Sequence, residues 1–164
     1  MRRRKPDPAA AAAPDDELAA RLAALKLLNR RDYGARELSQ RLTERGFAEP
    51  TAEATVARLV REKLLDDARF AEHFVAYHAN RGQGPVRIAH RLREAGVAAE
   101  LIRAAVDASA AEWRRRCAEL RRRRFGARQP ATWAERGRQA RFLTQRGFSA
   151  DQVRAAIGKD LDGD

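Results

Sequence analysis

The side chains able to do chemistry in this 164-residue chain are few in kind. Asp66 and Asp67 are neighbouring carboxylates, the type used in general acid and base work. His73, His78, His90 and Cys117 are of the types that ligate zinc. Arg114 to Arg116 and Arg121 to Arg124 are of the type that pairs with phosphate or carboxylate through a planar fork of donors. Spacing sorts them. Adjacent carboxylates at the start of a helical segment accept backbone N–H groups as caps far more often than they share a proton. The histidines and the distant cysteine lack zinc-ligand spacing, and no Gly-rich loop follows a strand to cradle phosphate. No metal, cofactor or catalytic residue is expected, and the chain is read as a non-enzyme. Cys117 falls on a helical stripe with Trp113 and Leu120 and is read as core. As a single cysteine it excludes an intramolecular disulfide and fits a reducing, cytoplasmic setting.

The arginines remain. The formal net charge is +11, and only four of the 34 basic residues are Lys. Residues 110–158 carry +9 of that charge, against +3 for 1–14, +1 for 15–65, zero for 66–109 and −2 for 159–164. Such concentration points to a polyanion or an acidic protein surface as partner. In the segment 110–125 only Glu112 and Glu119 offset seven arginines. With Trp113, Cys117 and Leu120 turned inward, Arg114, Arg115, Arg116, Arg121, Arg122 and Arg123 are placed over the remaining surface. Arg115, Arg116, Arg122 and Arg123 lie furthest from the stripe and are assigned to DNA or acidic contacts.

The elements that must position these residues follow from an internal repeat. Leu92-Arg93-Glu94-Ala95-Gly96-Val97 has counterparts at Leu42 to Phe47 and Leu143 to Phe148, so that Gly46, Gly96 and Gly147 fall 50 and 51 residues apart. Each copy spells a helix ending: a glycine at the left-handed position, with the preceding Leu and following Phe, Val or Phe as the apolar pair of a Schellman motif. All three glycines are expected to have positive φ. Six and ten residues on come Ala52 and Val56, Ile102 and Val106, Val153 and Ile157, a stripe on the next helix. The unit is helix, Gly turn, helix.

Nine helices in three repeats result, with repeats at 15–65, 66–109 and 110–158, a basic tail at 1–14 and an acidic one at 159–164. The first helix starts near 15–17 and carries Leu18, Leu22, Leu25 and Leu28 as its stripe. The second covers 35–45 and the third begins near Pro50. Asp66 or Asp67 caps a fourth with Phe70, Phe74 and Tyr77 on one face; Gly84-Pro85 opens a fifth; the sixth runs 98–109 and the seventh 110–125. Thr132 to Glu135 and Ser149 to Gln152 have capping-box spacing for the eighth and ninth. No uncharged apolar run approaches a membrane span, and the first residues are too weak for a signal peptide.

Three stretches taken together resemble the RecX family, regulators of the bacterial RecA recombinase filament. They are Leu65-Asp66-Asp67-x-x-Phe70-Ala71; Tyr77-x-x-x-Arg81-x-x-Gly84-Pro85-x-x-Ile88-x-x-x-Leu92-x-x-x-Gly96-Val97; and Arg141-Phe142-Leu143-x-x-Arg146-Gly147-Phe148-Ser149. The resemblance spans roughly 20–158. It implies an elongated, curved, all-α array of three tandem three-helix repeats that lies in the groove of the RecA filament and modulates its ATPase and strand exchange; inhibition, by a monomer, is the expected mode. It also implies that Tyr77, Arg81 and Arg87, beside the Gly84-Pro85 turn, face RecA. The arginine-rich seventh helix and Arg2 to Arg4 depart from the family pattern and direct attention to DNA, single-stranded and without sequence preference, as a further partner.

Two other classes compete. A trihelical unit with a tight turn before its last helix is also how helix-turn-helix modules are built, which would make this a DNA-binding protein. The candidate recognition segments 50–63, 98–109 and 149–157 carry few exposed Arg, Asn or Gln to read base edges, so non-specific phosphate binding is the form this alternative takes. A helical scaffold for an unrelated acidic protein is the third.

Overall fold

The computed structural model describes residues 13–107 and 110–158. The N-terminal Arg2 to Arg4, Ser109 at the expected end of the sixth helix, and the acidic 159–164 lie outside the described residues. Within them the chain is all helix: α1 Glu17–Leu28, α2 Ala35–Thr43, α3 Glu49–Arg61, α4 Asp67–Asn80, α5 Pro85–Glu94, α6 Ala99–Asp107, α7 Ala110–Phe125, α8 Trp133–Gln145 and α9 Ala150–Ile157. These nine helices form three three-helix repeats. The chain divides into two compact units, one of residues up to Phe70 with Ala95–Val97, the other of Ala71–Glu94 with the residues from Ala98 on.

In the first unit α1 and α2 both pack on α3 around Leu27, Leu38, Leu42, Phe47, Val56 and Leu59. Only half of the expected leucine stripe of α1 packs against the core, where Leu25 and Leu28 are partly buried. Leu18 and Leu22 are 69% and 53% exposed, while Ala20, Ala23, Ala24 and Leu27 are buried. Alanines and leucines both recur at helical spacing here, and a period alone does not set which face turns inward. The alanine face lets the α1 backbone come close to its neighbours.

Among residues 13–70, helix starts are fixed by side chains that local sequence supplies in two cases and distant sequence in a third. Asp16 Oδ1 accepts from the Ala19 N–H at 2.9 Å. Asp66 Oδ1 accepts from Ala68 and Arg69 N–H at 2.9 and 3.1 Å and so caps α4. Gly34, which precedes α2, has no side chain to offer, and the Ala35 N–H, left without a helical partner, donates instead to Asp67 Oδ1 at 2.7 Å. The paired carboxylates thus cap two different helices.

In the second unit α7 packs on α9 and α8, and α5 packs on α6. Trp113, Cys117, Ile88, Leu92 and Leu143 are its largest fully buried side chains. The Trp113 indole donates to the Val106 carbonyl at 3.1 Å. Thr132 and Ser149 each close a complete capping box with Glu135 and Gln152. Burial pushes the Cys117 thiol from 9.0 up to about 12, as expected of an inert core thiol. On α4 the buried residues are Phe70, Ala71, Val75, His78 and Ala79; Tyr77, expected on the face of Phe70 and Phe74, is 56% exposed.

Candidate nucleic-acid interface

The glycine turns position the basic residues. Gly46, Gly96 and Gly147 have φ of +97°, +80° and +92°. After α2 the Phe47 N–H donates to the Leu42 carbonyl and the Gly46 N–H to Thr43; after α8 the Phe148 and Gly147 N–H groups do the same to Leu143 and Thr144. These are the paired bonds of the Schellman ending.

The turn after α8 then docks on the start of α5. The Gly84 N–H donates to the Arg146 carbonyl at 2.7 Å and the Val86 N–H to the Gly147 carbonyl at 3.0 Å. Carbonyls left over at a helix C-terminus meet N–H groups left over at a helix N-terminus, and the opposite ends of two helix dipoles face each other. Arg146 reinforces the joint, donating to the Gly82 carbonyl at 3.0 Å and the Arg81 carbonyl at 2.6 Å. Arg87 donates from the other side to the Gln145 carbonyl at 3.2 Å. A Cβ on Gly84 would overlap the Gly147 carbonyl carbon, and one on Gly147 would overlap Arg87 Cβ. In the first unit Gly96 sits in the same way against the Arg36 side chain.

This joint gathers Tyr77, Arg81 and Arg87. The Tyr77 hydroxyl accepts from Arg81 at 2.6 Å, and the Arg81 guanidinium lies 4.9 Å from the Tyr77 ring centroid. Beneath them His78 is 8% exposed, with Nδ1 3.1 Å from an Arg91 guanidinium nitrogen. Burial, and then the cations Arg91, Arg81 and Arg87, hold His78 below its ordinary 6.5, so the ring is neutral at pH 7 and Nδ1 serves as acceptor.

The arginines of α7 separate into distinct environments. Arg121, placed on the surface by sequence, is 3% exposed and donates to the carbonyls of Arg128, Ala127 and Gly126. It closes the loop after α7, where its guanidinium replaces the water those carbonyls would otherwise need. Arg116 is held by Glu112 at 3.0 Å and by Asn80 Oδ1 at 3.0 Å. Arg115 is exposed and shared between Glu112 and Glu119 at 3.5 and 3.9 Å. Arg122 and Arg123 are exposed and form no ion pair or hydrogen bond among the described residues. Arg124 lies over the rings of Phe125 and Phe142 at 5.6 and 6.0 Å.

Sequence reasoning gave no site role to Arg124, Arg146 or Asn80. The signal for Arg146 was its place before the turn glycine, matched by Arg45 before Gly46; nothing in the arginine run marked Arg124. Among the described residues no group of three or more His, Cys, Asp and Glu could hold a metal, and no helix is long and apolar enough to cross a membrane.

An all-α chain of three three-helix repeats with an arginine-rich surface defines the class as a helical repeat protein. Comparison with known proteins is specific. Models of the first, second and third three-helix domains of RecX match residues 20–59, 66–106 and 112–157. The regulatory protein RecX of Halorhodospira halophila is 49% identical over 138 residues, covering 84% of this chain and 86% of that one. That of Stenotrophomonas maltophilia is 41% identical, covering 85% of each. The crystal structure of RecX from Lactobacillus salivarius superposes with a TM-score of 0.77 at 20% identity, over 88% of this chain and 96% of that one. The chain belongs to the RecX family of regulatory proteins.

Proposed function

We propose that the chain regulates the RecA recombinase by lying in the groove of the RecA–DNA filament, where it inhibits ATP hydrolysis and strand exchange, and that it does so as a cytoplasmic monomer. Family membership supports RecA as the target. The observation that carries the mode of binding is the set of exposed guanidinium groups on α7 and beside the Gly84-Pro85 turn. Arg122 and Arg123 have no partner among the described residues, the exposed Arg115 is shared between two half-buried glutamates, and Arg81 and Arg87 stand at the surface on a hydrogen-bonded joint. Exposed arginines held on helices can pair with phosphate or carboxylate at little cost in desolvation. Arg116, bound to Asn80 and Glu112, has a supporting role in this reading.

The test is RecA-dependent ATP hydrolysis on single-stranded DNA. Arg81→Ala with Arg87→Ala, and separately Arg115→Gln, Arg122→Gln and Arg123→Gln together, are expected to weaken inhibition at least several-fold while leaving the far-UV spectrum unchanged. Inhibition equal to that of the unaltered protein by both variants would return these arginines to a solvated basic face. Binding to DNA alone is the second reading, favoured by the same arginines. Every arginine–phosphate pair removed by substitution should flatten the plot of log affinity against log salt by about 0.7 on single strands.

A further inference from the structure

We propose that the cleft between the α4–α5 turn and α7 seats one unstacked base of single-stranded nucleic acid, with the adjoining phosphate held at its rim. The proposal rests on the nucleic-acid half of the function above and adds to it a site and a ligand. The cleft has a volume of about 320 Å³, near the small end of ligand clefts, which run from roughly 300 to 1,000 Å³. It lies wholly within the second unit.

The lining has two tiers. Leu120 and Phe142 give it an apolar floor, and Leu120 is held there by close packing on Gly82. Arg81, Arg123 and Arg124 supply the charged wall, and no carboxylate lines it. Each guanidinium is placed differently. Arg81 is oriented by the Tyr77 hydroxyl, Arg124 lies over Phe142, and Arg123 is without a partner among the described residues. Asn80 also borders the cleft; its Oδ1 is taken by Arg116, which leaves the amide N–H₂ as its donor.

Charge complementarity selects an anion, and the floor selects what comes with it. A free phosphate would leave Leu120 and Phe142 wet, and a simple acidic peptide would use only the rim. A nucleotide uses both tiers, because each base has a planar face that stacks on an aromatic ring or guanidinium plane while its phosphate pairs with the arginine fork. Stacking of this kind tolerates any base, in keeping with the scarcity of residues able to read base edges in a duplex.

The experiment uses the full chain and free oligonucleotides without recombinase, so its failure would leave the filament reading intact and failure of filament inhibition would not touch it. Fluorescence anisotropy is measured with an oligothymidylate and with an abasic strand of equal length and charge, at low and physiological salt. The unaltered protein should bind the oligothymidylate about tenfold more tightly, the scale of one stacked base. Phe142→Leu and Arg124→Gln should each bring that ratio towards one; Arg124→Gln, outside the core, keeps the test sound if removing the Phe142 ring from Phe125 disturbs folding. Equal affinity of the unaltered protein for the two strands overturns the proposal. Displacement by polyglutamate as effective as by unlabelled oligothymidylate would overturn it too and assign the cleft to an acidic peptide.

Discussion

At the scale of single residues, arginines adjacent in sequence differ entirely in environment. Arg121 is buried against three loop carbonyls, while Arg122, next in the chain, is exposed. Replacing Arg121 by Met keeps the stem volume but strands those carbonyls. Hydrogen bonds to a charged group contribute about 1.5–3 kcal/mol, so a loss of more than about 1 kcal/mol is expected for Arg121→Met. Arg122→Gln should stay within about 0.5 kcal/mol. Urea midpoints at constant slope measure both, and equal midpoints for the two variants would show that the buried hydrogen bonds contribute nothing net. The inward placement of Trp113 and Cys117 was legible because apolar residues at helical spacing seek a core. The fate of each arginine was not, since one side chain type serves as loop closure at 121, as a tether at 116 and as a free cation at 122. The paired carboxylates were legible as caps; that Asp67 serves α2 was not, because Gly34 leaves a gap that only the tertiary fold shows how to fill.

Among the elements, the Leu-x-x-x-Gly-apolar endings were readable because their hydrogen bonds are local to the turn. What the turns dock on was not readable, as those joints bring together segments far apart in the chain. The three glycines share positive φ yet differ in surroundings. Gly46 would meet nothing within 4 Å of an added Cβ, whereas Gly147 would drive one into Arg87. Gly46→Ala should therefore cost only the left-handed penalty of about 1–2 kcal/mol. Gly147→Ala should cost clearly more, because the α8 turn must also lift from the start of α5 and loosen the Arg146 and Gly147 carbonyls from Gly84 and Val86. Gly84→Ala tests the joint without the backbone penalty, its φ not being in the left-handed region. If Gly46→Ala and Gly147→Ala shift the denaturation midpoint equally, the joint does not contribute to stability. The phase of α1 was legible only in part: leucine spacing promised a stripe at 18, 22, 25 and 28, but Leu18 and Leu22 are exposed, Leu25 and Leu28 are partly buried, and Leu27 with the alanine face holds the interior.

For the molecule as a whole, His78, Glu62, Glu135 and Cys117, each perturbed by folding, favour the same interval of pH. His78 is held below 6.5 in the fold by burial and three arginines, so the unfolded chain binds more protons there. Its contribution is present above about 6.5 and is lost as pH falls through the depressed folded value. Glu62, hydrogen-bonded by Arg21 and Arg58, and Glu135, accepting from the Ala131 and Thr132 N–H groups, are likewise held below 4.5. Their contributions disappear at still lower pH, where a chain already at +11 gains further positive charge and self-repulsion. Cys117 has the opposite sign: the buried thiol keeps its proton up to about 12 against 9.0, so the unfolded chain deprotonates first and stability declines as pH rises past 9. Stability should therefore form a plateau between about pH 6.5 and 9 with a fall on either side. Urea unfolding from pH 4 to 10.5 measures it. His78→Gln, which keeps an acceptor for Arg91 but cannot titrate, should flatten the profile between pH 5 and 7, and Cys117→Val should flatten it above pH 9. An unchanged acid limb in His78→Gln would place the acid sensitivity on the carboxylates and the net charge alone.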